Sequence, residues 1–556
     1  MGIRHKAKKT NNLLPKGANV RLISILLLML LIAGVRFYYY SGPIFANSQD
    51  EGIYINIYAM VVLFKNPISF SQYAHINLSN LSSPDLNPAN EFQFYVGFIY
   101  PEILLQDVFG FSVNLAIYYV IFTSIIEGFF IFLIIERISR LRAAVIGTLL
   151  FAFIPVDVLF STHIQPLVPA MMMIDIAVYA FIIANEKHKK SLYLISGVFT
   201  GLAYLTNPLG ALLLILFVLI CFISILKKKL TYKNVVQNLI FIIIGFIIAY
   251  SLIGIVYLFE TGNYFLYPEL THAVYLYQEA TQPTLNYCIS SNFCLIYTTG
   301  YPSFYLSIIT DFKTPIHPYL KYFGVSFYVF IAMAVLSILF MPKKKWALAF
   351  IGIFLFYLIA IMFFPANITF NNGIIDYYPI SEVSYITTVL TLPLIVITAL
   401  GLETMLKQKS LIVRAVALVL VCFILYYDIS VLNNDIGFYR ASMYTLHAFV
   451  NYVQAHYSST FYGNFYFSSE ANQLTSYKYK IAYLQNCSSA YLDGLPNGTY
   501  VATGGTISFS LDPSLVDNFD NCVVKNLTDY NAVYNVTNPF QKYSGDAPQL
   551  RIYLKK

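Results

Sequence analysis

Apolar runs of about twenty residues recur along this chain from residue 21 to residue 428, separated by polar loops. A bilayer core offers no partner for an unsatisfied peptide group, so a crossing segment must close its hydrogen bonds internally, and about 20 residues of helix suffice. Eleven candidate spans follow, near 21–38, 113–135, 143–160, 168–185, 192–206, 208–226, 237–258, 322–341, 346–364, 385–404 and 411–428. Hydrophobic residues make up 58% of the chain and charged residues 11%, against about 25% charged in soluble domains. That leaves too little polar surface for several water-soluble globules, and it excludes disorder as well. The formal charge of +7 would suit nucleic acid if the basic residues clustered on one surface. They lie in short runs between apolar stretches, so no nucleic-acid partner is expected.

The first span follows Arg4, Lys6, Lys8, Lys9 and Lys16 and has no small-residue cleavage site after it. It reads as a retained helix with a cytoplasmic amino terminus. Alternate loops then carry Glu136 to Arg142, Glu186 to Lys190, Lys227 to Lys233, Lys343 to Lys345 and Lys407 to Arg414. All fall on the side expected to be cytoplasmic, which is the positive-inside pattern. Sequons at Asn77, Asn80, Asn367, Asn486, Asn497, Asn526 and Asn535 all fall on the other side, making them candidate N-glycosylation sites. Cys288 with Cys294, and Cys487 with Cys522, lie on that side too. They are candidate disulfides for an oxidising compartment, or four free thiols.

The expected organisation is a transmembrane region over 1–428, with a first outer loop at about 39–112 and a second at about 259–321, then an extracytoplasmic α/β or α+β domain over 429–556. In that domain 461–468, 480–484, 499–503 and 549–554 read as strands, and 445–456 and 513–520 as short helices. The Ile-, Asn- and Tyr-rich composition favours an archaeal cell membrane over an endoplasmic reticulum as the setting.

The first outer loop holds an adjacent acidic pair, Asp50-Glu51, flanked at a distance only by Arg36 and Lys65. Paired acids at the mouth of a membrane cavity suit general-base work on a hydroxyl, or a divalent cation such as Mg or Mn. The plainer reading is that they supply negative charge to the start of the helix that follows. Glu127 and Asp175 fall inside spans, where an ionisable residue is either functional or bonded to a neighbouring helix.

A first helix opening into a long outer loop with an Asp-Glu pair resembles the GT-C membrane glycosyltransferases, in particular the protein O-mannosyltransferases and the lipid A aminoarabinose transferases. The similarity runs over about residues 20–260, through Ser139 to Ala144, Phe151 to Pro155, Ser161 to Pro169 and Gly197 to Pro208. It implies a polytopic α-helical fold of about eleven spans with a small extracytoplasmic domain. The resemblance further implies a polyprenyl-phosphate sugar as donor (dolichyl phosphate in an archaeal host), inversion at the anomeric carbon, and an extracytoplasmic glycan, lipid or protein acceptor. Asp50 is the position carried over as general base, and Glu51 as its partner. A second acid of the family aligns with Gln165, a candidate polar site, so either the acid has moved to Asp157 or the enzyme does without it; His163 nearby is a candidate contact for the donor's phosphate or lipid. Asn207 stands where the family has the lysine of a Lys-Pro pair, which leaves Lys65, Arg36, Lys313 and Lys321 as candidate phosphate partners. A single tryptophan, Trp346, disfavours an oligosaccharyltransferase, whose WWD-type motif it cannot supply. An inactive GT-C-like scaffold and a transporter are the competing readings. Asp50→Asn separates them, because only an enzyme loses its activity while staying folded.

Overall fold

The structure is a computed structural model of the 556-residue chain. It describes residues 16–40, 54, 58, 96–226, 232–261, 326–340, 344–363, 365–371, 374–379, 388–463, 468, 471, 474–476, 478–484, 486–503, 521–527, 529–536 and 550–556. In chain order the helices are α1 (Lys16–Tyr39), α2 (Val96–Phe109), α3 (Val113–Ile138), α4 (Leu141–Phe153), α5 (Pro155–Ser161), α6 (Leu167–Lys187), α7 (Lys190–Thr206), α8 (Ala211–Leu226) and α9 (Tyr232–Thr261). There follow α10 (Ser326–Phe340), α11 (Lys344–Phe363), an antiparallel hairpin of β1 (Pro365–Asn371) and β2 (Ile374–Pro379), α12 (Thr391–Leu406) and α13 (Leu411–Ala455). Six described helices, within α1, α3, α6, α9, α12 and α13, are long and apolar enough to cross a bilayer, and the bent pair α4–α5 makes a seventh if it counts as one span. The other expected runs carry α7, α8, α10 and α11. The protein is an integral membrane protein.

Local sequence explains the breaks. Pro155 has no N–H to give to Phe151 and restricts Ile154 to extended backbone (φ −62°, ψ 121°), so α4 stops and α5 starts with Pro in its first turn, bent by 57°. Between α2 and α3 the chain turns at Gly110, whose φ of 88° favours a residue without a Cβ. Gln106 closes that turn, donating to the Ser112 carbonyl at 2.8 Å and accepting the Ser112 amide at 2.7 Å. The α7–α9 crossing is close because glycines face backbone: a Cβ on Gly197 would lie 2.0 Å from the Ile242 carbonyl oxygen, and one on Gly245 2.2 Å from that of Leu194. Small residues at such crossings let membrane helices approach.

Two features differ from expectation. The stretch expected to be a span over 411–428 and a separate helix over 445–456 is a single 45-residue helix, α13. At 1.5 Å per residue it is roughly 68 Å long, over twice the ~30 Å hydrocarbon core. The boundary expected at 429 therefore falls inside an uninterrupted helix. Helix α2 lies within the expected first outer loop and packs against α7 and α3.

Beyond α13 come β3 (Thr460–Gly463), β4 (Lys480–Tyr483), α14 (Ser489–Asp493), β5 (Tyr500–Thr503), β6 (Tyr530–Val536) and β7 (Leu550–Lys555). The strands form one mixed sheet in the order β4-β3-β5-β7-β6, parallel from β4 to β5 and antiparallel from β5 to β6. It sits on the last turns of α13, where Tyr452 meets Phe461, Tyr500 and Tyr534 at ring separations of 6.3, 5.8 and 4.7 Å. Cys487 and Cys522 are joined in a disulfide, while Cys288 and Cys294 lie outside the described residues.

Candidate active site

One end of the bundle gathers the carboxyl ends of α1, α4 and α7 with the amino ends of α3 and α6. Arg36, in the last turn of α1, is fully buried there. Its Nε donates to the Ser124 hydroxyl (3.2 Å), its Nη1 to the Ala152 carbonyl (2.6 Å), and its Nη2 to Asp157 Oδ2 and the Phe151 carbonyl. The Phe151 ring lies 5.2 Å below the guanidinium carbon. Both carbonyls belong to the helix end that Pro155 leaves without its next donors, so the cation caps a broken helix and favours its negative end. Asp157 opens α5 and also accepts from Ser124 at 2.8 Å. Arg36 is therefore withdrawn from the surface, and its donors serve the α4–α5 break. Asp157, the candidate second acid, is the anion of this buried pair.

Two other acids share this interior. Glu127 on α3 and Asp175 on α6 are fully buried, and among the described residues none of their carboxyl oxygens has a hydrogen-bond partner. Glu127 lies within electrostatic reach of Asp157, Asp175 and Arg36. The Tyr357 hydroxyl of α11, also buried and without a hydrogen bond among the described residues, lies within reach of Asp175.

His163 and Gln165 occupy the turn at 162–166 between α5 and α6, and both are buried. Burial lowers the His163 imidazole to about 4, so at neutral pH it is uncharged and offers a hydrogen bond but no cation. Asn207 accepts the Leu209 amide on Oδ1 at 3.0 Å, an Asx turn that starts the next helix at Pro208.

Asp50, Glu51 and Lys65 lie outside the described residues; the structure gives the anchors on either side of the acidic pair. Before it, the Tyr39 hydroxyl donates to Asn433 of α13 at 3.2 Å and the Tyr40 hydroxyl to Asn114 of α3 at 2.5 Å. After it, Tyr54 and Tyr58 are helical and buried, and four residues apart they share one face. Tyr54 meets the Phe98 ring of α2 edge-on at 5.5 Å. The Tyr58 hydroxyl lies within electrostatic reach of Glu102, which is buried with neither carboxyl oxygen hydrogen-bonded among the described residues. Burial holds the Glu102 carboxyl well above the usual carboxylate range, with Gln106 opposing. The sequence reading missed Glu102 and the pairing of Arg36 with Asp157. An acid in the middle of the apolar run Val96–Phe109, five residues before Asp107, was the available signal for the first, and two opposite charges in apolar helices were the signal for the second.

Among the described residues no group of three or more His, Cys, Asp or Glu side chains is placed to hold a metal ion. A cavity of about 310 Å³ lies at the opposite end of α6, between Asn185, Phe217 and Trp346, away from these residues.

The family described as dolichyl-phosphate-mannose-protein mannosyltransferase matches residues 102–253, the stretch that supplies α3 to α8 and most of α9. Among solved structures, the oligosaccharyltransferase of Archaeoglobus fulgidus tethered to an acceptor peptide matches with a TM-score of 0.53 and 12% identity, covering 94% of this chain and 73% of that one. The same organism's AglB in complex with an inhibitory peptide and a dolichol-phosphate matches at 0.52 and 11% identity, over 94% and 73%. The fold is that of the GT-C glycosyltransferases. ArnT from Cupriavidus metallidurans bound to undecaprenyl phosphate is a more distant likeness, at 0.49 and 10% identity over 95% and 97% of the two chains. No curated protein sequence matches the chain significantly.

Proposed function

We propose that this protein is an inverting membrane glycosyltransferase, moving one hexosyl or pentosyl unit from a polyprenyl-phosphate donor, dolichyl phosphate foremost, to a hydroxyl of an extracytoplasmic glycan, lipid or protein. The observation that carries the reading is that the chain is anchored both before and after Asp50-Glu51 in the sequence. Before the pair, Tyr39 and Tyr40 tie the chain to α13 and α3, and after it Tyr54 seats the chain on α2. In this proposal the acidic pair, which lies between those anchors in the sequence, works at the same end of the membrane bundle. A donor with lipid tails must present its phosphate and sugar at such an end. In this proposal the amino terminus is cytoplasmic, and the carboxy-terminal sheet stands outside the membrane as a small α/β domain.

Asp50 takes the proton of the acceptor hydroxyl as its oxygen bonds to the anomeric carbon. The bond from that carbon to the phosphate oxygen breaks, and the electron pair leaves with the polyprenyl phosphate. Glu51 orients the acceptor. Lys65 is assigned to the donor's phosphate, which its cation holds in the bound donor and as the phosphate departs. The buried Arg36–Asp157 pair holds the exit of α1, and so the position from which the acidic segment departs.

The test is transfer by the full chain in liposomes containing polyprenyl-phosphate hexose or pentose and a hydroxyl acceptor, read as released polyprenyl phosphate. Asp50→Asn should reduce turnover by about 10²- to 10⁴-fold with an unchanged melting temperature. Turnover retained in that variant would remove Asp50 from the role of base.

A further inference from the structure

Four sequons have their asparagines among the described residues of the carboxy-terminal sheet region. Asn486, Asn497 and Asn535 are exposed. Asn486 accepts the Ser488 amide on Oδ1 at 2.9 Å, using its oxygen and not its nitrogen. Asn526 is half-buried and uses the nitrogen: Nδ2 donates to the Cys487 carbonyl and to the Cys522 carbonyl, both at 3.0 Å, and lies 3.6 Å from Cys522 Sγ. An amide nitrogen has two hydrogens, and these two carbonyls take both.

The two acceptors have different origins. Cys522 is four residues before Asn526, in the helical stretch 521–526, and its carbonyl is supplied locally. Cys487 is 39 residues away, and it is held there by the Cys487–Cys522 disulfide, with Cα atoms 5.7 Å apart. N-glycosylation at this nitrogen would replace one N–H hydrogen with the anomeric carbon of a sugar. A sugar ring would then have to occupy the place of a carbonyl oxygen now at hydrogen-bond distance.

The geometry points to a modification choice at Asn526: the sequon accepts a glycan only on chains whose Cys487–Cys522 bond has not closed, and closure silences it. Closing the bond transfers two electrons and two protons from the thiols to a disulfide-bearing oxidant, which becomes a dithiol. Glycosylation instead forms a bond from Nδ2 to a sugar delivered on a lipid phosphate or diphosphate, with loss of the N–H proton and departure of the lipid carrier. The inference rests on the extracytoplasmic placement proposed above, not on catalysis by this chain.

The full chain is expressed in cells that attach N-glycans to exported proteins, and unreduced proteolytic peptides are read by mass spectrometry. Peptides joined through Cys487 and Cys522 should be bare at Asn526. Cys487→Ser and Cys522→Ser should each raise Asn526 occupancy several-fold while leaving Asn497 unchanged. A dithiol pulse during synthesis of the wild type should do the same without any substitution. A glycan and the closed disulfide on one peptide, or occupancy unmoved by opening the bond, would overturn the choice. Bare asparagines at Asn486, Asn497 and Asn535 together would instead remove the extracytoplasmic placement, and the inference with it.

Discussion

Arg36 and Asp157 form a fully buried ion pair that joins the last turn of the first helix to the first turn of a helix 121 residues later. The pair closes around a proline break. Pro155 cannot donate to Phe151, and the guanidinium takes up the carbonyls of Phe151 and Ala152 while Asp157 balances its charge. The exit of the first helix, the bent span and Ser124 of the third helix are thereby fixed to one another in the buried interior of the bundle.

Breaking such a pair from one side leaves an uncompensated buried charge, at a cost of about 3–5 kcal/mol. Asp157→Asn is expected to lower the thermal midpoint of the detergent-solubilised protein accordingly. Arg36→Met combined with Asp157→Leu should recover most of that loss, short of about 1–3 kcal/mol for the carbonyls left open. Strictly additive single and double variants would show that the two residues are not coupled.

The α7–α9 crossing has the least tolerance for added volume. Gly197→Ala and Gly245→Ala each place a methyl group against a carbonyl oxygen, at 2.0 and 2.2 Å, so the helices must part at about 1–3 kcal/mol. Gly34→Ala and Gly352→Ala, whose Cβ atoms would meet nothing within 4 Å, are the controls. Equal thermal midpoints for all four variants would mean that the two helices do not approach this closely.

The apolar runs made most helices legible, because a span is a local statement of length and hydropathy. Pro155 was read through, inside one span over 143–160, although its missing N–H ends the helix before it. What escaped the sequence depends on partners. Arg36 stands at the lipid boundary in the sequence, where a phosphate contact is the natural expectation, and only the fold shows its charge spent on Asp157. The α13 helix was divided at a change in polarity, yet polar residues do not end a helix without proline or a capping turn. Strand β6 escaped because it is a sheet edge with a mostly exposed face and weak alternation. Glu102 escaped because a segment read as loop was not expected to bury an acid.

Acid sensitivity should follow from His163. Its imidazole is lowered by burial to about 4 in the folded protein, against about 6.5 in an unfolded chain. The folded state binds the proton less readily, so this stability is fully present above about pH 6.5 and is lost as pH falls through the folded value, to a limit of roughly 3 kcal/mol. His447, also lowered by burial, acts in the same direction. His163→Gln should flatten the dependence of the unfolding midpoint on pH between about 6.5 and 4. An unchanged slope would mean that the imidazole reaches solvent in the folded protein.

With Arg36 engaged, Asn207 uncharged in its turn and His163 neutral, the phosphate of the proposed donor needs its cation from the chain beyond the anchored acidic pair. Lys65 is the basic residue nearest to that pair on its carboxyl side. Hydrogen bonds to charged groups contribute about 1.5–3 kcal/mol, so Lys65→Met should raise the KM for the polyprenyl-phosphate sugar roughly 10- to 150-fold. Lys65→Arg should restore much of it, and Asp50→Asn should lower kcat instead. A normal KM in Lys65→Met together with a raised one in Lys313→Met or Lys321→Met would move the phosphate partner to the second loop. The division between KM and kcat then separates donor binding from proton transfer, because a cation that holds the phosphate acts in the ground state as well as in the transition state, whereas the base matters only once the hydroxyl attacks.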